Sequence, residues 1–367
     1  MKRNTIIICV IGLACVVGLI FFLEQRKKNS LPNTPSSNNL FMRDATGKPG
    51  EIYVVTDSIT WQDTAGVALK IALSQEQPCL PQPEPYFSLK QIEPSGFRGL
   101  TRFHKNIIFI TSLSQNNPTT QIITKILGQE TINNLKQNKD KSQFYIATDN
   151  VWAKNQKVIF LFSNNQLELA NKIIAKQNDF LYLFTTLEKQ RLAARLKMLK
   201  PNTDGQKILK KDFGLTISLP NDYQLNYHNN GIVWFVRSYA ADKDLNLFFY
   251  EYKYTSPKQL EPKKILAKHD SLTKLYMPGP NKGSYKIIEK LAEPVSKIID
   301  FKNHYAVEIR NIWTVENNFM AGPSVILAIV NEKKGTILIV EGFVYYPREN
   351  KRELLRELEA LISTMEY

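Results

Sequence analysis

The sequence predicts an α+β protein: two α/β modules behind an N-terminal transmembrane helix, the second module a mainly antiparallel sheet with packed helices. Three observations carry this expectation. Residues 5–23, TIIICVIGLACVVGLIFFL, form one apolar run without a charge. Between 51 and 200, strand-like runs alternate with stretches of helical periodicity, the pattern of helices packed on a central sheet. From 207 onward long strand-like runs dominate and only two helical stretches interrupt them, which favours antiparallel pairing.

The leading run contains 13 Ile, Leu, Val or Phe among its 19 residues. As a helix it reaches about 28 Å, close to the ~30 Å hydrocarbon core of a bilayer. It is longer than the apolar core of a cleaved signal peptide and ends in Phe21, Phe22 and Leu23 with no small-residue cleavage pattern after it. Cys15 follows Gly12, Leu13 and Ala14, a poor lipoprotein signal. The expectation is an uncleaved signal anchor at 1–23. Lys2 and Arg3 before the run nearly balance Arg26, Lys27 and Lys28 after it, so charge alone leaves orientation open. A four-residue leader gives little to translocate, which favours a body outside the cytoplasm. Residues 24–50, rich in Asn, Ser and Pro, read as a flexible linker.

The first module is expected at 51–200. EIYVVTD is a strand, and Asp57 or Ser58 caps a helix carrying Trp61, Ala65, Leu69 and Ala72. Residues 78–99 are broken by prolines and read as an irregular loop. NIIFITSL is a buried strand, followed by a helix over 120–137. FYIATD and KVIFLFS are strands, and a long helix runs over 166–199. PNTDG at 201–205 marks the boundary. In the second module, 207–367, FGLTISLP, IVWFVRS, LNLFFYEYKY and HYAVEIRNIWTV read as strands, with a helix capped by Ser256 between the third and fourth. SVILAIV and TILIVEGFVYY form a hairpin around NEKKG. Leu354, Leu355, Leu358, Leu361 and Ile362 mark one face of a closing helix.

Forty-eight Lys and Arg against 34 Asp and Glu give a net charge of +14. The basic residues are spread along the chain with no Arg-rich arm or nucleic-acid motif, so no nucleic-acid partner is expected. Attraction to an anionic envelope polymer or lipid fits the charge better. Cys9 and Cys15 lie in the anchor, which leaves Cys79 without a partner for an internal disulfide.

GEIYVVTD, LPQPEP, PSGFRGL, DNVWAKNQ, YMPGPNKGSY, EIRNIW, FMAGP and EGFVYYP, in this order, resemble domain-of-unknown-function family 4837, a bacterial family mostly of cell-envelope lipoproteins. The resemblance runs from Gly50 to Ser363 and implies an envelope location. It implies no catalytic residues, because the family has no established activity. The chain departs from the family in lacking a good lipobox and in carrying Asn311 and Ala321 where glycines are expected. The order of the second module is also similar to the small α/β sandwich of photosystem extrinsic proteins, an analogy of fold only.

The sequence lacks H-E-x-x-H, C-x-x-C, G-x-S-x-G and a Walker loop. His104, His228, His269 and His304 are far apart, so neither metal nor cofactor is expected, and His269-Asp270 reads as surface polar. The candidate binding residues are Phe87, Phe97 and Arg98 in the proline loop, Lys282 and Ser284 in PGPNKGS, and Glu308, Arg310 and Glu341 in the second sheet. A carboxylate among Ile337, Ile339, Phe343 and Tyr345 needs a partner, and Arg310 is expected to pair with Glu341 or Glu308. The function that follows is a membrane-tethered, non-enzymatic binding or scaffold protein. The alternatives are an envelope hydrolase using Glu308, Glu341 and His304, or an adaptor subunit of an envelope complex.

Overall fold

Residues 42–114, 116–137, 143–240 and 242–367 are described by this computed structural model. The expected anchor at 5–23 and most of the expected linker lie outside the described residues, among which no helix is long and apolar enough to cross a membrane. The chain divides into two compact units. One contains the residues up to Leu73 and Phe87–Asn178; the other contains Ser74–Tyr86 and Asp179–Tyr367.

In the first unit, β1 (Glu51–Val55) leads through α1 (Ser58–Gln62) and α2 (Thr64–Leu73) to β2 (Ser88–Ile92). Then come β3 (Asn106–Ser112), α3 (Pro118–Leu127), α4 (Gln129–Gln137), β4 (Tyr145–Asp149), β5 (Lys157–Ser163) and α5 (Gln166–Ala175). The sheet order is β2-β1-β3-β5-β4, with β4 alone antiparallel. β3 and β5 are buried along their whole length, as parallel strands covered on both faces must be. Ile107, Phe109, Val158 and Phe160 pack with Ile123 and Leu127 of α3.

Several expected elements are broken where local chemistry breaks them. Asp57 does cap α1, accepting from Thr60 N–H at 2.9 Å, but Asp63 is extended and ends it. Gly66 then permits the close return of the chain: a Cβ there would stand 2.3 Å from the Trp61 carbonyl oxygen. Gly128, at φ +87°, separates α3 from α4. The long helix divides at Lys176 into α5 and α6 (Gln177–Lys197). The proline loop is not wholly irregular, since β2 runs through it, register-paired with β1 from Glu51↔Ser88 to Val55↔Ile92. Its prolines stop at 85 and resume at 94, and β2 lies in the proline-free gap, where every backbone N–H is free to hydrogen-bond. Residues 42–50 already bear on this unit, with bridges Asp44↔Lys154 and Thr46↔His104.

In the second unit, PNTDG starts a helix as well as ending one. Asn202 Oδ1 accepts from Gly205 N–H at 2.8 Å and caps α7 (Thr203–Phe213). FGLTISLP is not a strand. Leu215, Ile217 and Leu219 are buried, but the segment joins neither sheet and pairs through the isolated bridges Thr216↔Glu366 and Pro201↔Pro220. The strands are β6 (Gln224–Asn229), β7 (Ile232–Ala240), β8 (Lys243–Lys253) and, after α8 (Pro262–Tyr276), β9 (Lys286–Ile288), β10 (Val295–Phe301), β11 (His304–Val315), β12 (Ala321–Asn331) and β13 (Thr336–Tyr345); α9 (Arg352–Ile362) closes the chain. Ser256 caps a short 3-10 turn, Pro257–Leu260, and α8 begins only at Pro262.

The sheet order is β10-β11-β12-β13-β8-β7-β6, all antiparallel, with β9 also on β11. The two faces of the sheet support separate cores. On one, Leu327, Leu338 and Val340 pack with Leu355, Leu358 and Leu361 of α9. Each such fully buried leucine contributes about 1.5–3 kcal/mol, and Leu358→Ala alone costs about 2–5 kcal/mol. On the other, Ile326, Ile337, Ile339 and Phe343 pack with Ile265 of α8.

Candidate functional site

The strongest concentration of chemistry-bearing side chains lies under α8. Alternation along β13 sends Glu341 to the same face as Ile337, Ile339 and Phe343, and its side chain is 0 % exposed. Lys286, the first residue of β9, donates from Nζ to both carboxylate oxygens at 2.7 and 2.9 Å. Ser324 Oγ donates to Oε1 at 2.6 Å. His269 Nε2 lies 3.1 Å from Oε2, and its Nδ1 lies 3.2 Å from the Tyr250 hydroxyl. A donor at Nε2 and an acceptor at Nδ1 satisfy both neighbours, so this geometry fits the Nε2–H tautomer. Burial would push the Glu341 carboxyl up, but Lys286 and His269 outweigh it and hold it down at about 2. The result is a closed, mutually neutralised set.

Arg310 belongs to the other face. Glu341 is not its partner, because alternate residues of β11 point to opposite sides. Arg310 Nη2 lies 2.5 Å from Glu359 Oε1 on α9, and its Nε lies 3.5 Å from Glu308 Oε1. Glu308 also meets Lys297 at 3.0 Å. Burial raises the Glu308 carboxyl, and Arg310 and Lys297 bring it below its ordinary value. Burial opposes the charge on Arg310, yet Glu359 and Glu308 hold its pKa above the ordinary guanidinium value.

The remaining predicted residues separate into core and surface. Phe87 and Phe97 are buried in the first unit, Phe97 edge-on to Phe109 and Trp152. Their burial takes them off any binding surface, while Arg98 is exposed. Ser284 locks the PGPNKGS turn: its Oγ donates to Asn281 C=O at 2.7 Å and accepts from Asn281 N–H at 3.0 Å. Lys282 is exposed at the tip. His304 sits near the start of β11, with Nδ1 3.2 Å from the Val330 carbonyl, and shares no site with Glu341.

Two loops that the sequence treats separately are joined. Glu316 N–H donates to Tyr285 C=O at 2.9 Å, and Asn281 Nδ2 donates to Asn317 C=O at 3.5 Å. Their shared tip presents Lys282 and a fully exposed Phe319.

Sequence reasoning missed Lys286, Ser324 and Glu359, and took His269 for surface when it is fully buried. A signal for His269 exists: Ile265, His269 and Thr273 recur every four residues and all are buried on α8. Among the described residues no group of three His, Cys, Asp or Glu is placed to hold a metal ion.

Residues 202–364 match the model of a family described as "Domain of unknown function (DUF4837)". This part of the chain is similar to that family. Residues 45–197 match a different model, "Domain of unknown function (DUF8532)". The resemblance from Gly50 to Ser363 is therefore divided: GEIYVVTD through DNVWAKNQ fall under DUF8532, and YMPGPNKGSY through EGFVYYP under DUF4837. No curated protein matches the chain.

Among solved structures, one from Bacteroides thetaiotaomicron is similar over 41 % of this chain, with 9 % identity and a TM-score of 0.24; the match spans 44 % of that chain's length. The Ran-binding protein Mog1p of Saccharomyces cerevisiae is similar over 42 % of this chain and 91 % of its own, with 8 % identity and a TM-score of 0.29. LpqN of Mycobacterium tuberculosis, involved in cell envelope biogenesis, is similar over 41 % and 81 %, with 11 % identity and a TM-score of 0.26.

Proposed function

We propose that this is a non-enzymatic binding or scaffold protein of the bacterial cell envelope, tethered to the membrane through residues 5–23 with its body outside the cytoplasm. Its partner is an envelope protein or an anionic polymer. The observation that carries the reading is the contrast between a sealed Glu341 and an open loop tip. A hydrolase would need Glu308, Glu341 and His304 around one cleft. Instead Glu341 and Glu308 face opposite sides of the sheet, and Glu341 is fully buried and neutralised. An exposed aromatic on one loop and an exposed lysine on the other, with the loops joined by hydrogen bonds, are the kind of groups that anchor an interface.

The test is photo-crosslinking from position 319 in intact membranes. The expected result is one stoichiometric protein or polymer adduct, weakened in Lys282→Glu. Absence of any adduct at 319, with the chain folded and in the membrane fraction, overturns the assignment of this surface.

A further inference from the structure

We propose that the first unit holds a second, separate binding site at the carboxyl ends of its parallel strands, and that its ligand is a compact zwitterion of amino-acid size. Topology sets the place. In the order β2-β1-β3-β5-β4 the chain steps from β1 to one neighbour, β2, and then across to the other, β3. Connections leaving β1 and β3 part from each other, and open α/β sheets bind ligands in the crevice outside the strand ends at such a switch point.

A cavity of about 320 Å³ lies there, at the small end of the roughly 300–1,000 Å³ range of ligand pockets. Asp57 follows β1, Glu93 and Ser95 follow β2, and α3, the helix after β3, supplies Gln121, Ile122 and Lys125.

The charges define the ligand. Asp57 accepts from Thr60 N–H and Thr60 Oγ at 2.9 and 3.0 Å. Glu93 Oε1 accepts from Gln91 Nε2 at 2.9 Å and from Ser58 Oγ. These donors are all neutral. Among the described residues neither carboxylate has a cationic partner, and Lys125 has no anionic one. Two carboxylates and an ammonium lining one cavity suit a molecule with an amine at one end and an acid at the other. Ser95 and Gln121 add neutral hydrogen-bonding groups, and Ile122 gives the cavity an apolar side.

The test uses the full chain in nanodiscs, with L-lysine, putrescine and succinate as probes. L-lysine is expected to slow hydrogen–deuterium exchange in peptides covering 93–96 and 118–125. Because Asp57 also caps α1, the decisive variants are Glu93→Gln and Lys125→Glu. Glu93→Gln is expected to weaken L-lysine binding about tenfold or more, the loss of a charge-assisted contact. Lys125→Glu is expected to abolish L-lysine binding and leave putrescine bound. Phe319→Ala is expected to change neither, which separates this site from the loop tip of the second unit. Protection by none of the probes, protection by succinate alone, or L-lysine binding unchanged in both variants overturns the proposal.

Discussion

The two sheets solve the same burial problem in opposite ways. In the first unit, β3 and β5 are buried throughout and apolar at their centres, with Asn106, Ser112, Lys157 and Ser163 at their ends. The buried charges stand at strand termini: Glu51 opens β1 beside the exposed Lys90, and Lys157 opens β5 at 2.5 Å from Asp149. In the second unit β13 is almost as buried, yet carries Glu341 in its interior. A charge at a strand end keeps some contact with water, whereas one in mid-strand must have every lone pair answered by protein. Lys286, Ser324 and His269 do this for Glu341. On the α8 face the second unit's core therefore adds a specific set of polar partners to its apolar packing.

That contrast breaks most sharply at Lys286. Lys286→Met leaves a buried, uncompensated carboxylate and is expected to destabilise the second unit by about 3–5 kcal/mol. Adding Glu341→Leu is expected to recover much of that loss. Chemical denaturation followed by unit-resolved hydrogen exchange reads both. Equal losses in the single and double variants would show that Lys286 acts by packing and not by charge.

Acid sharpens the comparison. The His104 imidazole of the first unit is pushed below its ordinary 6.5 by burial, against the Asn106 carbonyl and Glu51. Its unfolded form takes up a proton first, so its contribution to stability is full above 6.5 and declines as pH falls below it. The Glu341 contribution is full above 4.5 and is lost only between 4.5 and about 2. The first unit is thus expected to lose protection at a higher pH than the second. The reverse order in a pH series of exchange measurements would refute the assignment.

The smallest effect concerns α9, which has no side-chain cap of its own. Glu84 supplies one from far along the chain, accepting from Lys351 N–H at 2.6 Å and from Arg352 N–H at 3.1 Å. Glu84→Ala is expected to cost about 0.5–2 kcal/mol, read as faster exchange in the first turn of α9. Unchanged exchange there would show that water replaces the carboxylate without loss.

The sequence makes apolar periodicity legible and little else. β3, β5, β13 and α9 are visible because their apolar residues repeat at the period of the element. β2 (SLKQI), β6 (QLNYHN) and most of β10 (VSKIIDF) are edge strands with exposed side chains, so burial imprints no pattern on them. The loop tip is half legible. PGPNKGS and NFMAGP show as loops, but their junction is made by backbone groups, which no residue type announces. The crevice of the first unit is hidden for a related reason. Asp57 and Glu93 read as a helix cap and a loop acid, and only the strand order brings them to one cavity. His269 and Lys286 look like surface residues because a buried charge is recognised by its partners, and Glu341 is 55 residues beyond Lys286.

Ser74–Tyr86 is counted with the second unit although the chain on either side of it belongs to the first. No single cut can therefore separate the two units intact. A fragment begun at residue 200 would contain the whole DUF4837 match and still lack Glu84 and Gln82, which hold Lys351, and the carbonyls of Pro85 and Tyr86, which hold Arg352 and Arg356. On the ribosome these thirteen residues are made long before α9, their docking ground. The second unit must wait, incomplete, until that helix emerges.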